Sequence, residues 1–567
     1  MELRLTKELI AALGPEGLKE AGIPELQRPE KGGPATVPCE IASLDAGNVA
    51  RLVAIFLAHE KVRGATVVLK DIAAWQKILN GETDARAFKP RTVEQFSSML
   101  TALIARTSPQ KRMYLRDAVR DPWCAVYVER VTYHPRHTNG AHVYPAQCTV
   151  TYWWREFGEV RHDTKSWEPA ECEHKDIASS LDRFGMALET EELRAQYARD
   201  AAFYASLHGS LGQQFYGTGC GTTDVDGNPS YMTSALPLTL GDQPSTVVLD
   251  VDHEEEPKRR GERPRTMGLW FWTDPQFYRV HWDRTREDRD LDDLPAPEVP
   301  LWPMRAVFDL QRHARLKVHV GQLQPKPSDP TLRDKLVIPA HTRAFVEMLV
   351  ARKGGFRDVI AGKGAGTVLL LCGLPGVGKT LTAEVYAEAT GKPLYTVHAS
   401  QLGVSPVELE ANLLRVFRRA ERWGAILLLD EADVYVAARG TSLTQNAIVG
   451  VFLRVLEYFR GILFLTTNRA ESVDDAIASR CLARIRYDRP IADEQARIWR
   501  ILADTAGVAL DEPTLAEAVK TFPSLTGRDV RNMLALAAMI AEAKKKHITI
   551  GEIIIANHYK PTPDGAS

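Results

Sequence analysis

Eight residues, Gly373-Leu374-Pro375-Gly376-Val377-Gly378-Lys379-Thr380, follow an apolar run at 368–371 and fit the spacing G-x-x-x-x-G-K-[ST]. Each residue type has a job. Glycines let backbone N–H groups close around phosphate oxygens at a helix N-terminus, Lys379 offsets charge on the β- and γ-phosphates, and the Thr380 hydroxyl is a ligand for Mg²⁺. The candidate contacts for ATP are therefore Gly373, Pro375, Gly376, Val377, Gly378, Lys379, Thr380 and Leu381. A glycine turn that merely ends in Lys-Thr is the plain alternative. The strand pattern before it and the helical sequence after it argue against that.

A second apolar run, 425–429, ends in Asp430-Glu431-Ala432-Asp433, and a third, 462–465, ends in Thr466-Thr467-Asn468-Arg469. Acidic residues after a strand are commonly a solvated turn or a helix cap. Downstream of a phosphate loop they acquire another meaning, because parallel strands present their carboxyl ends to one crevice. Asp430 would then join Thr380 in holding Mg²⁺, Glu431 would polarise the attacking water as general base, and Asn468 would orient that water.

These three strand ends together resemble the AAA+ superfamily of ATPases, and more closely the AAA subgroup with a second region of homology. That subgroup follows its sensor asparagine with an Asp-x-Ala helix and arginines that reach a neighbouring subunit's nucleotide. The matching residues are Asn468, Asp474-Asp475-Ala476-Ile477, Ser479-Arg480 and Arg484. The resemblance implies that Arg480 is an arginine finger acting in trans with Arg484 as its partner; the alternative for each is an ordinary surface ion pair. It also implies a homo-oligomer, expected to be a hexamer. In the segment Leu525-Thr526-Gly527-Arg528, Arg528 matches a sensor-2 arginine that contacts nucleotide in cis; local capping or pairing is the competing role.

The run from Trp423 to Arg469 is similar to AAA ATPases common in fungi that carry long N-terminal regions, a likeness beginning near Arg305. Where many AAA unfoldases place an aromatic pore loop, this chain has Ser400-Gln401-Leu402-Gly403-Val404-Ser405. Without an aromatic grip, a gentler remodelling of a bound protein is expected rather than processive threading. The box Ser479-Arg480-Cys481 also resembles clamp loaders, which keeps a nucleic-acid-associated switch as the alternative.

Other residue clusters weigh less. His134, His137, His142, Cys148, His162, Cys172 and His174 are metal-ligand types, but their spacing matches no zinc pattern, and Pro135 and Gly140 mark a turn. Trp153, Trp154, Trp167, Trp270, Trp272 and Trp282, near Arg259, Arg260, Arg263 and Arg265, could form a stacking surface for single strands. Core packing is the plainer account, since Glu254 to Glu256 and Glu262 interleave with those arginines.

Positioning three strand tips around one ligand demands a parallel sheet with helices on both faces, an α/β P-loop fold. The spacing predicts strands at 367–371, 394–398, 425–429, 462–466 and 484–487. Helical patterns at 493–506, 513–521, 528–545 and 551–558 predict a small helical lid. Ahead of this lie a helical or α/β region at 1–110, with helices at 48–61 and 93–106 and a strand at 65–69, and an α+β region at 111–330. The latter should hold a hairpin across 125–154, a helix at 176–207, strands at 245–252 and 316–324, and polar Pro-rich loops at 253–265 and 284–303. The motor would span 331–489, including a helix at 340–352 and the segment 356–360, with the lid at 490–567.

At 567 residues several such domains are required, and 44% hydrophobic against 25% charged residues supports real cores. A net charge of −2 gives no overall bias toward nucleic acid or an anionic membrane. Seven scattered cysteines without CxxC spacing suit reduced thiols, and no apolar run approaches a bilayer span. A cytoplasmic protein with no membrane partner is the expectation.

Overall fold

The structure, a computed structural model, describes residues 2–20, 36–40, 46–62, 64–66, 68–70, 72–73, 89–116, 122–139, 142–156, 159–223, 235–240, 243–250, 299–351, 366–403, 405–439 and 442–559. The expected loop at 253–265, Trp270, Trp272, Trp282, the four arginines from Arg259 to Arg265, most of the 284–303 segment, residues 356–360 and Val404 lie outside these. Among the described residues the strands form three larger sheets and two two-stranded ribbons.

In the N-terminal part, Glu2–Thr6 pairs antiparallel with Thr36–Glu40. A five-stranded antiparallel sheet then runs in the order Glu159–Trp167, Gln147–Glu156, Cys124–His134, Arg112–Leu115, Met186–Leu188. Its central pair sets Tyr127 opposite Trp153, the hairpin read from alternating β-formers. Helix Val93–Thr107, capped by the Thr92 hydroxyl, buries Phe96, Met99, Leu100 and Leu103 in the same core as Tyr152 and Trp167.

Two expectations fail here. Residues 65–66 and 68–70 are helical, not a strand, because Ala65, Val68 and Ile72 bury one side at a spacing of three and four. The single helix expected at 176–207 is two, Ile177–Asp182 and Glu191–Ser206, separated by the strand Met186–Leu188. Gly185 makes the break: its φ is +63°, and a Cβ there would lie 2.0 Å from the Arg116 carbonyl oxygen.

An eight-stranded antiparallel sheet follows, its main path Ala235–Pro237, Cys220–Thr223, Ala314–His319, Met304–Asp309, Gln243–Leu249, Gln214–Gly217 and Leu323–Pro325, with Thr239–Leu240 beside Gln243–Leu249. Val248 and Phe308 of this sheet belong to the core that also contains Tyr395, Phe417 and Trp423.

The C-terminal half is the parallel sheet. Its strands are β1 (Thr367–Gly373), β2 (Leu394–His398), β3 (Ile426–Asp430), β4 (Ile462–Thr467) and β5 (Ala483–Tyr487), in the order β2-β3-β4-β1-β5. Every pairing among them is parallel. β1 and β4 are buried at every position, as strands covered on both faces must be. Helices α1 (Lys379–Thr390), α2 (Pro406–Trp423), α3 (Leu443–Leu456) and α4 (Asp475–Arg480) connect them. Four further helices, α5 (Ala492–Ala506), α6 (Glu512–Thr521), α7 (Gly527–Ala543) and α8 (Ile550–His558), close around Trp499, Leu515, Met533 and Ile553 as a separate small core.

Candidate nucleotide site

The order β3-β4-β1 puts the tips of those three strands side by side, and the sequence elements after each tip meet there. After β1 the chain turns through Gly373, Gly376 and Gly378, all with positive φ (+151°, +80° and +102°). Gly373 has a second constraint. A Cβ at this position would stand 2.3 Å from the Tyr487 carbonyl oxygen of β5. Helix α1 then starts at Lys379 with Gly378 as its N-cap and no side chain capping it. Its first N–H groups are thus left to a ligand, and anionic oxygens suit them best.

Lys379 is only 7% exposed. Its Nζ donates to the carbonyls of Gly373 (2.8 Å) and Leu374 (2.7 Å) and to Asn468 Oδ1 (2.9 Å) at the end of β4. Burial pulls its ammonium below the usual lysine range, with the Asp430 and Asp433 carboxylates opposing that pull. One helical position on, Thr380 Oγ1 donates to Asp430 Oδ1 at 3.0 Å. This hydroxyl–carboxylate pair is an all-oxygen donor set, the kind Mg²⁺ takes beside phosphates.

Asp430 also accepts from Thr466 Oγ1 at 2.5 Å, and Thr466 Oγ1 in turn accepts the Glu431 backbone N–H at 3.0 Å. Glu431 itself is exposed and sits in the left-handed region, with φ +53°. A non-glycine residue held there is unfavourable by about 1–3 kcal/mol and persists where surrounding bonds fix it. The Ala432 N–H bonded to the Thr466 carbonyl at 2.9 Å is one such bond. Asp433 accepts from the Thr467 hydroxyl and from Asn468 N (3.1 Å), so it fixes the segment that carries the Asn468 amide. Sequence reasoning quoted Thr466 and Asp433 without giving them a role. Their signal was the polar pair Thr466-Thr467 closing an otherwise apolar strand.

The lid reaches the same loop. Thr526 caps α7 through Asp529, and the Arg528 N–H points to the Gly376 carbonyl at 3.4 Å. A Cβ on Gly376 would lie 2.8 Å from Arg528 Cβ and 2.9 Å from Thr526 Oγ1. Arg528 therefore stands against the phosphate loop. Arg480 does not join this cluster within the chain. Its guanidinium bonds Glu457 Oε1 at 2.6 and 3.2 Å, on the end of α4. Arg484, on β5, stands beside the Cys372 thiol, which burial raises and this guanidinium holds back. Leu381 is half exposed on α1, and Pro375 and Val377 lie within the glycine turn.

Elsewhere, Leu402 is buried in the core and Ser405 caps α2. Trp167 is fully buried with Nε1 on the Ser180 carbonyl (2.7 Å), a packing role. His137 stacks on Tyr144 with centroids 4.7 Å apart. Among the described residues no group of three His, Cys, Asp or Glu could hold a metal, and no helix is long and apolar enough to cross a membrane.

Comparison with known proteins matches residues 369–489 to the ATPase family associated with various cellular activities (AAA). An AAA family ATPase, y4kL, of Sinorhizobium fredii is 30% identical over 184 residues, covering 31% of this chain and 56% of that one. The ATP-dependent zinc metalloprotease FtsH 3 of Conexibacter woesei is 29% identical over 216 residues, covering 35% and 28%. The human ATPase family gene 2 protein homolog B is 29% identical over 278 residues, covering 43% and 35%. Among solved structures, the FIGL-1 AAA domain in complex with ADP aligns with 41% of this chain and 81% of its own at 22% identity, with a TM-score of 0.30. The matches span 56% of the length of the Sinorhizobium fredii relative and 28% of that of the Conexibacter woesei relative.

Proposed function

From the AAA-family ATPase domain that occupies residues 369–489, we propose that this chain binds and hydrolyses ATP and couples the cycle to remodelling a bound protein within an oligomeric ring. The observation carrying the reading is the convergence of Lys379, Asp430 and Asn468, with Lys379 2.9 Å from Asn468 and Asp430 3.0 Å from Thr380.

In this reading the uncapped start of α1 takes the phosphate oxygens, and Lys379 exchanges its protein carbonyls for them. Thr380 and Asp430 would hold Mg²⁺, which would supply positive charge beside the phosphates. Glu431, exposed beside this group, accepts a proton from the attacking water. Asn468, fixed through Asp433, aims that water. Arg528 contacts the nucleotide from the lid, so that its occupancy is felt by helices α5 to α8. Arg480, turned away from its own chain's loop, serves a neighbour's, with Arg484 behind it.

The protein substrate rests on the family and on the large N-terminal sheets attached to the motor. The relatives include a protein named as an ATP-dependent protease, which acts on protein. Since Leu402 is buried where an aromatic grip would stand, remodelling without threading is favoured.

Two variants test the site. Lys379→Ala should lose nucleotide binding in a fluorescent-ATP titration, and Glu431→Gln should bind ATP yet turn it over at least ~10²-fold more slowly. Wild-type turnover by Glu431→Gln removes the base assignment. Retention of a partner on the Glu431→Gln chain in ATP tests the remodelling, and stimulation of turnover by DNA would favour the switch reading instead.

A further inference from the structure

Strand β5 ends at Tyr487, and this residue meets the phosphate loop at both of its ends. In the sheet it stands opposite Gly373, where the loop begins and where a Cβ would lie 2.3 Å from the Tyr487 carbonyl oxygen. Its phenol reaches the far end. Tyr487 OH lies 2.9 Å from Thr382 Oγ1 on α1, and Thr382 Oγ1 donates to the Gly378 carbonyl at 2.9 Å. The single hydroxyl proton of Thr382 is committed to that carbonyl, so Tyr487 is the donor between the two hydroxyls.

This relay is closed to water. Thr382 is fully buried and Tyr487 nearly so, in the core that also holds Leu369, Leu371, Tyr386 and Ile485. Burial pushes the phenol up to about 12, which keeps its proton in place through the neutral range. A phenylalanine ring would fill the same apolar space, so packing alone does not call for the hydroxyl. Helix formation does not call for it either, because the Thr382 N–H already donates to the Gly378 carbonyl at 3.0 Å.

The Gly378 carbonyl and the Lys379 N–H belong to one peptide, and that N–H is the first of α1, at a helix start that no side chain caps. Hydrogen bonds in a chain polarise one another, so protons delivered to this carbonyl strengthen the N–H of the same peptide as a donor. They also fix a peptide plane that Gly378, at φ +102°, would otherwise leave soft. We propose that Tyr487 is a positioning residue for phosphate binding: acting through Thr382, its hydroxyl orients and polarises the Gly378–Lys379 peptide for the nucleotide's phosphate oxygens. It rests on the reading that this loop binds ATP.

Steady-state ATP turnover and fluorescent-ATP titration on the full chain, below the melting point of every variant, test this. A contact made equally in ground and transition states sets affinity rather than rate. Tyr487→Phe should therefore raise KM for ATP and Kd for fluorescent ATP about threefold to tenfold, with kcat within about twofold of wild type. Thr382→Val should do the same, and the double variant should be no weaker than the weaker single, because the two hydroxyls act in series. Thr382→Ser loses a buried methyl but keeps the relay, so it should melt earlier than wild type and yet retain the wild-type KM. KM and Kd of Tyr487→Phe within about 1.5-fold of wild type, losses that multiply in the double variant, or an affinity loss in Thr382→Ser equal to that in Thr382→Val overturns the proposal. A wild-type chain that fails to bind fluorescent ATP refutes the ATP reading itself, whereas wild-type binding with an unaltered Tyr487→Phe refutes only the relay.

Discussion

Thr466 shows how much of the candidate site is held by a residue outside its motifs. Its hydroxyl donates to Asp430 and accepts the Glu431 N–H, tying the two acidic residues of one strand tip to the next strand. Glu431 at φ +53° depends on that tie. Thr466→Val keeps the β-branched shape but removes both bonds, so the carboxylates should drift while the phosphate loop is untouched. We expect ATP affinity within about threefold of wild type and turnover reduced about 10-fold or more, read by a fluorescent-ATP titration beside a phosphate-release assay. Equal losses in both would mean that Thr466 supports folding rather than the acidic pair. Lys379 and Asp430 were visible in the sequence because their motifs require fixed residue types. Thr466 was not, since a threonine at the end of a strand is ordinary until its neighbour across the sheet is known.

Among the elements, the contact that joins lid to site is between the phosphate loop and the start of α7. Gly376 has φ +80° and meets Arg528 and Thr526 closer than a side chain allows. Gly376→Ala should push the lid off the loop and strain the turn, weakening nucleotide binding by at least ~10-fold with a melting temperature lowered by only a few degrees. Paired measurements of affinity and melting check it. In the middle sheet, burial lowers His319 from 6.5 to about 4, and its Nε2 lies 4.0 Å from Asp200 without a hydrogen bond. A histidine depressed in the fold contributes stability that is complete above its unfolded value and lost as pH falls from 6.5 toward 4. The loss is on the order of 3 kcal/mol. The full chain's melting temperature should fall over that window, and more steeply than in His319→Gln. The legibility of these elements follows their physics. Strands β1, β3 and β4 are buried almost throughout and read as apolar runs, β2 and β5 alternate, and α5 to α8 show a helical stripe, so all were found from periodicity. Of the middle sheet only the strands near 245–252 and 316–324 were read; its pairing was not, because Cys220–Thr223 meets Ala314–His319 across a long stretch of chain. The strand expected at 65–69 failed because β-branched composition outweighed the helical spacing of Ala65, Val68 and Ile72.

Over the whole molecule, the middle sheet is fastened to the motor around Trp423 and again at the end of α1, where Gln214 Nε2 donates to the Gly391 carbonyl at 3.2 Å. Phe308 packs on Trp423 and Tyr395, with centroids 5.0 and 5.7 Å away, and Trp423 Nε1 donates to the buried Asp250 at 3.1 Å. Trp423 ends α2, whose other end begins after the loop containing Leu402, so the middle sheet packs on the far end of the helix that leaves that loop. Within the chain Arg480 faces Glu457 rather than the phosphate loop, about one-third exposed. If Arg480 completes a neighbour's site, chains with a defective finger and chains with a defective base must rescue each other. Arg480→Ala chains retain a sound site, and Glu431→Gln chains retain a sound finger. Each alone should turn over at least ~10²-fold more slowly than wild type while still binding ATP. Mixed in equal amounts and allowed to exchange, they should recover about a quarter of wild-type turnover, because about half of all sites are Arg480→Ala and about half of those receive an intact arginine from the next chain. A finger acting within its own chain gives no recovery in the mixture, and size measurement of each variant separates lost assembly from lost catalysis.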